Sequence, residues 1–545
     1  MNIFRNCCLL GIILSSWLWG TDLITLRPWR SLSATAAEQV DFWYELLEYS
    51  VPVSSLETYA KTGKIDRSFA AYAQRLTPRE LTRLKAVLNY QVDIERVVVF
   101  RFFHSSLGKR ILRLAGEIIK INPNRNGFYG LRSALVLTAN SPEGLTILNV
   151  IRQFPTESMH IDGNALIEQI QAFNQLRKQT TSAVATVEQQ AEIEANTELK
   201  TDFARQLDLR DSGNSTWHKK TLTSFDQKRD RFLEIDFYRP AIDTSIPVVV
   251  ISPGLGVDKD NFIYLAQHLA SHGFAVAVLN HPGSDLQQFE NFLAGTTKEV
   301  IGVKEFIDRP LDVSYLLDEL TKLEQTDSSQ LGSLNLKQVG IIGHSFGAYT
   351  ALALAGVELN PKRLQQDCQS DRINLNGFNP SLLFQCLVLD LPPISDYRLF
   401  DKRIAAIFAM NPIASSIFGQ QNLSQLDLPV AFVAGSNDPI TPALPEQITP
   451  FTWLSVPNKY LLLIEKGTHI YKRDEAFSML TASTDFSLAR QYIQAMSLAF
   501  MKTYVAKESS YRLFLNSNYA KYIGKNYLKL NLVNSLSKTD LNSSD

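Results

Sequence analysis

Residues 337–356, KQVGIIGHSFGAYTALALAG, decide the fold. Residues 339–342 read as a buried strand, Gly343-His344-Ser345-Phe346-Gly347 as a tight turn, and Ala348 onward as a helix of small residues. A G-x-S-x-G turn between strand and helix holds its serine at the tip of a sharp bend with strained backbone angles. Strand and helix nearly touch there, so Gly343 and Gly347 carry no side chain. The helix N-terminus beyond offers free N–H groups and a partial positive charge to an anion forming at Ser345. Ser345 is the candidate nucleophile.

Outward from this turn, short apolar strands alternate with helices. Strands are expected at 247–251, 275–279, 339–342, 404–409, 430–434 and 460–464. Uninterrupted runs of Val, Ile, Leu and Ala suit strands covered on both faces. Helices at 261–272 and 308–322 separate them, and a last helix at 486–504 aligns Leu488, Tyr492, Met496, Ala499 and Phe500. A hairpin at 217–224 and 231–238 comes first. The intervals 283–307 and 356–402 exceed a normal connection and read as insertions at the active-site end. Residues 214–510 therefore read as an α/β domain with a mostly parallel sheet and helices on both faces.

Residues 38–175 read as a separate all-α domain. Ser54-Ser55-Leu56-Glu57 and Thr77-Pro78-Arg79-Glu80 are capping boxes, and Leu81, Leu84 and Leu88 follow at helical spacing. Ser141-Pro142-Glu143-Gly144 is expected to open another helix. Residues 176–213, rich in Gln, Thr, Glu, Ala and Lys, read as a polar helical linker, and 511–545 as a C-terminal tail.

At 545 residues the chain is too long for one core, and its net charge of -1 gives no reason to expect a nucleic-acid partner. Arg5, the apolar run 7–19 and Ala34-Thr35-Ala36 make residues 1–36 a signal peptide or N-terminal anchor, hence an exported protein of periplasm, envelope or medium. In an oxidising compartment Cys368 and Cys386 could close a loop; two unpaired thiols fit equally. Without a nearby histidine they form no zinc site, and no metal or organic cofactor is required. His104 and His160 read as ordinary polar positions.

A serine nucleophile needs a base, and the base an orienting carboxylate. His469 is the only histidine after Ser345. Asp438, in Gly435-Ser436-Asn437-Asp438-Pro439, is the acid; the competing position carries Asn411-Pro412, and Asp390 and Asp401 are weaker rivals. The oxyanion donors are the amides of Phe346 and of Leu255, in Ser252-Pro253-Gly254-Leu255-Gly256. Gly254, His281 and His344 are expected to line the substrate pocket.

Residues 214–506 resemble α/β-hydrolases of the group containing platelet-activating-factor acetylhydrolases and dienelactone-hydrolase-like esterases. The resemblance lies in Pro253-Gly254-Leu255-Gly256, Asn280-His281-Pro282-Gly283 and Gly343-His344-Ser345-Phe346-Gly347. Residues 38–170 resemble a domain of unknown function found ahead of such hydrolases in cyanobacterial proteins, on Ser55-Leu56-Glu57 and Asn126-Gly127-Phe128-Tyr129. The resemblance implies the α/β-hydrolase fold and a serine hydrolase. The acetylhydrolases place their acid after the strand that here ends in Asn411, and dienelactone hydrolases proper use cysteine; this chain departs from both. The expected activity is hydrolysis of carboxylic esters through an acyl-enzyme. Leu382-Leu383-Phe384 points to an acyl or lipid-like substrate, with room for peripheral membrane contact. The alternatives are a catalytically silent envelope scaffold and a phospholipase A2-type acetylhydrolase. Oligomeric state stays open.

Overall fold

The computed structural model describes residues 36–542 except 46, 93, 243, 327–331, 370–378, 393–397 and 470–484. The expected signal or anchor lies, up to residue 35, outside the described residues. Among the described residues no helix is long and apolar enough to cross a membrane. The chain divides into two compact units, one taking residues 1–176, 290–300 and 369–378, the other 177–289, 301–368 and 379–545.

The smaller unit carries strands β1 (Gln39–Tyr44), β2 (Leu47–Pro52), β3 (Gln91–Val92), β4 (Ile119–Asn122), β5 (Arg125–Asn126), β6 (Leu145–Thr146) and β7 (Ser158–Asp162). Five of them form a sheet of order β2-β1-β7-β4-β5, and β3 pairs with β6. This corrects the all-α expectation for 38–175. β1 runs parallel to β7 with Gln39 opposite Ser158, a partner remote in sequence. Distant pairing, rather than local pattern, makes these segments extended. Several helix starts also differ. Thr77 and Glu80 form a reciprocal capping box with Pro78 inside it. The box expected at Ser54 does not form, because Val53–Thr62 starts from Pro52 without a side-chain cap. Ser141–Gly144 makes a turn into β6, and the helix Ile147–Arg152 is capped by Thr146.

Helices and sheet of this unit surround an apolar cavity of about 370 Å³, walled by Phe42, Leu84, Leu112, Leu135, Val150 and Ile161 among others.

The larger unit is built on β8 (Trp217–Asp226), β9 (Arg231–Pro240), β10 (Ile246–Ser252), β11 (Ala275–Leu279), β12 (Leu334–His344), β13 (Ile404–Met410), β14 (Val430–Gly435), β15 (Lys459–Ile464) and β16 (Leu530–Val533). Their order is β16-β15-β14-β13-β12-β10-β11-β9-β8. From β11 to β15 every pairing is parallel; β9 and β16 join antiparallel at the two sides. Val248, Val249, Val250 and Ile251 are each 0% exposed, as consecutive residues covered on both faces must be. Strand order reverses around β10, so a crevice opens at the strands' C-terminal ends.

Two expectations about the flanks are corrected. Of the expected polar helical linker 176–213, residues 176–197 are helical but belong to one longer helix, α1 (Gly163–Thr197), whose Ala183, Val187 and Ala191 pack into the larger core. Small residues let a helix with a polar composition approach the sheet closely. The C-terminal tail is also structural: Tyr519, Ile523 and Leu532 are buried, and β16 closes the free edge of β15. Cys368 and Cys386 are joined in a disulfide.

Candidate active site

β12 ends at His344, and helix α3 begins at Phe346 (Phe346–Leu354). Between them Ser345 holds φ 55° and ψ -116°, a conformation that a non-glycine residue keeps only when its surroundings enforce it. Its N–H donates to the Met410 carbonyl at 2.8 Å. A Cβ on Gly343 would overlap the Gly347 carbonyl, and one on Gly347 would overlap that of Ser252. Both glycines are therefore required by close approach.

The loops after β14 and β15 bring Asp438 and His469 to this serine. His469 Nε2 lies 2.9 Å from Ser345 Oγ, and its Nδ1 2.8 Å from Asp438 Oδ2. Nδ1–H donating to the carboxylate leaves the Nε2 lone pair facing the serine hydroxyl. Asp438 Oδ1 accepts the N–H groups of Ile440 and Thr441 at 2.8 and 2.9 Å. Its Oδ2 accepts from Asn411 Nδ2 and Thr441 Oγ1, each at 2.7 Å. Burial alone would raise the Asp438 pKa, but His469 and the Thr441 hydrogen bonds outweigh it and hold the carboxyl below its ordinary value.

Asn411 thus donates to the candidate acid from the position that competed for its role. Its φ of 45° is one that asparagine tolerates better than most residues. Thr441 was equally unmarked. The signal for it was Asp438 followed by proline, an Asx-type turn whose carboxylate accepts N–H groups two and three residues on. Of the rival acids, Asp401 is committed to Arg403 at 2.9 and 2.6 Å.

Gly254 abuts Ser345: a Cβ there would stand 3.3 Å from Ser345 Cβ and 3.1 Å from His344 Nδ1. Among the described residues the Phe346 and Leu255 N–H groups donate to no protein acceptor. His344 differs from expectation. Its Nε2–H donates to the His469 carbonyl at 2.8 Å, so it holds the backbone of that histidine instead of facing substrate. Burial pushes its pKa down to about 3, keeping it neutral.

His281 is also corrected. Its Nδ1 lies 3.0 Å from Asp312 and its Nε2 2.9 Å from Ser252 Oγ, so both nitrogens are engaged inside the fold. The bond pattern repeats that of Ser345, His469 and Asp438, but Ser252 is 0% exposed. Asp312 also accepts from Arg229 at 2.8 Å and Arg231 at 2.7 Å, while Arg231 reaches Glu305 at 2.7 Å. These groups form a buried ionic network, with Glu305 and Asp312 on helix α2 (Glu305–Thr326).

Arg309, on the same helix and fully buried, went unmarked in the sequence. Its Nη2 donates to the Pro253 carbonyl and its Nη1 to Ser284 Oγ at 3.0 Å, and its guanidinium lies 4.5 Å from the centre of the Phe346 ring. It touches both segments that carry the candidate oxyanion amides.

Residues 36–162 match the family described as an alpha/beta hydrolase of unknown function (DUF1400). Residues 247–366 match the family described as the alpha/beta hydrolase fold, from β10 through α3 and so across the Pro253–Gly256 loop and Ser345. A comparison with curated proteins found no match. By its nine-stranded sheet and by this match, the larger unit is an α/β-hydrolase domain.

Proposed function

We propose that the protein is a serine hydrolase of carboxylic esters. The observation that carries this reading is the unbroken hydrogen-bond chain from Ser345 Oγ through His469 to Asp438. Ser345 Oγ attacks the ester carbonyl carbon while its proton passes to His469 Nε2. Asp438 stabilises the imidazolium that results. The amides of Phe346 and Leu255 bind the developing oxyanion. The C–O bond to the alcohol breaks, His469 returns the proton to the leaving oxygen, and an acyl-serine remains. Water, deprotonated by His469, then releases the acid and restores Ser345.

An apolar acyl group is the substrate that Leu382-Leu383-Phe384 of the 356–402 insertion suggests. Phe384 packs against Phe346 and Phe306 in the core next to the turn that carries Ser345. The Cys368–Cys386 bond supports action in an oxidising compartment outside the cytoplasm.

The test is a panel of p-nitrophenyl esters from acetyl to long acyl chains, run beside labelling with a fluorophosphonate probe. Turnover and labelling are expected in the wild type, with turnover falling about 10⁴-fold or more and labelling lost in Ser345→Ala. A folded wild-type protein that neither labels nor turns over any ester would refute the assignment. Equal rates across acyl length would remove the apolar preference alone.

A further inference from the structure

The cavity of about 370 Å³ in the smaller unit takes no part in the chemistry above. Sheet residues Phe42 and Ile161 and helical residues Leu84, Leu112, Leu135 and Val150 form much of its wall. The hydroxyl-bearing residues of the wall are Thr146, Tyr49, Tyr72 and Tyr90, and no charged side chain belongs to it among the described residues. Two of those hydroxyls are already spent: Thr146 accepts from the Asn149 N–H at 3.1 Å, and Tyr72 donates to the Ser50 carbonyl at 2.9 Å.

Phe42, Leu84, Leu135 and Val150 are half-buried although they face the interior, unlike the sealed strands of the other unit. The cavity is open to solvent on part of its boundary, which leaves room for one end of a bound chain outside. Apolar cavities exclude water and accept apolar guests, and this one falls within the range of about 300–1,000 Å³ typical of ligand pockets. With no charged side chain among the described residues of the wall and two of its four hydroxyls engaged, the wall favours hydrocarbon over a charged compound.

We propose that the smaller unit binds one long fatty acyl chain in this cavity, its polar end left outside. All the wall residues lie between positions 40 and 166, so the proposal does not depend on the ester-hydrolase reading.

The test is calorimetric titration of the full chain with octanoate, decanoate, dodecanoate and tetradecanoate below their micellar concentrations. One equivalent is expected to bind, with affinity rising about fourfold per added methylene until the cavity is full. Capping Ser345 with a fluorophosphonate should leave this binding intact. Val150→Phe, and independently Leu135→Phe, should weaken it at least tenfold while ester turnover persists. No saturable uptake by the wild type would overturn the proposal, as would affinity indifferent to chain length. So would uptake lost on capping Ser345, or uptake unchanged in either variant once its fold is verified.

Discussion

A buried carboxylate without donors would take up a proton near neutral pH. Asp438 keeps its charge because Asn411, Thr441, Ile440 and His469 all point donors at it. Asn411→Ala removes one charge-assisted hydrogen bond, worth on the order of 1.5–3 kcal/mol. The expected outcome is a tenfold to hundredfold fall in kcat with KM little changed. Steady-state kinetics on a p-nitrophenyl ester check this, and a variant with unchanged kcat would reduce Asn411 to a packing residue. Ser345, His469 and Asp438 could be singled out from chain order and loop position. Asn411 and Thr441 could not, since their meaning lies in a hydrogen bond and not in a motif.

At the scale of elements, Arg309 fastens helix α2 to the Pro253 loop and to the first residue of α3. Holding the Pro253 carbonyl fixes the start of the loop that carries the Leu255 N–H, and covering the Phe346 ring fixes the residue that carries the other candidate donor. On the proposed mechanism Arg309 is therefore a positioning residue. Lysine could reach Pro253 but could not also bridge to Ser284 and cover the Phe346 face. Arg309→Lys is expected to lower kcat tenfold to hundredfold with KM changed less than about threefold. Steady-state kinetics beside a thermal melt decides; a rise in KM at constant kcat would contradict the role. The central parallel strands were legible because burial on both faces writes an apolar run whatever the partner. β7 was not, since of Ser158–Asp162 only Met159 is buried. β16 was missed because four residues carry too little pattern.

The buried ionic network gives the whole molecule a pH-dependent stability. Burial pushes the Glu305 pKa up to about 7, and Arg231 only partly opposes it. A carboxyl whose folded pKa exceeds its unfolded value binds the proton more tightly in the fold. Its stabilising contribution is complete below the ordinary pKa of about 4.5 and is lost as pH rises through about 7. Between pH 5 and pH 8 this group should therefore cost stability, on the order of 3 kcal/mol at full ionisation. The buried histidines His268, His281 and His344, whose pKa values are pushed down to about 3, act with the opposite sign over the same window. Glu305→Gln should thus raise the pH 8 urea midpoint relative to the pH 5 midpoint, measured against the same difference in the wild type. An unchanged separation in that variant would assign the pH dependence elsewhere.

The strand–turn–helix around Ser345, the run of buried strands and the order serine, acid, histidine were determined by the sequence alone. Each rests on local geometry or on burial that every residue of a segment reports. Tertiary structure decided the rest. It placed Asn411 beside Asp438, joined His281 to Asp312, folded the C-terminal residues onto β15 and left a cavity inside the smaller unit. These depend on contacts between segments far apart in the chain, and a hydrogen bond or a void of that kind leaves no periodicity behind.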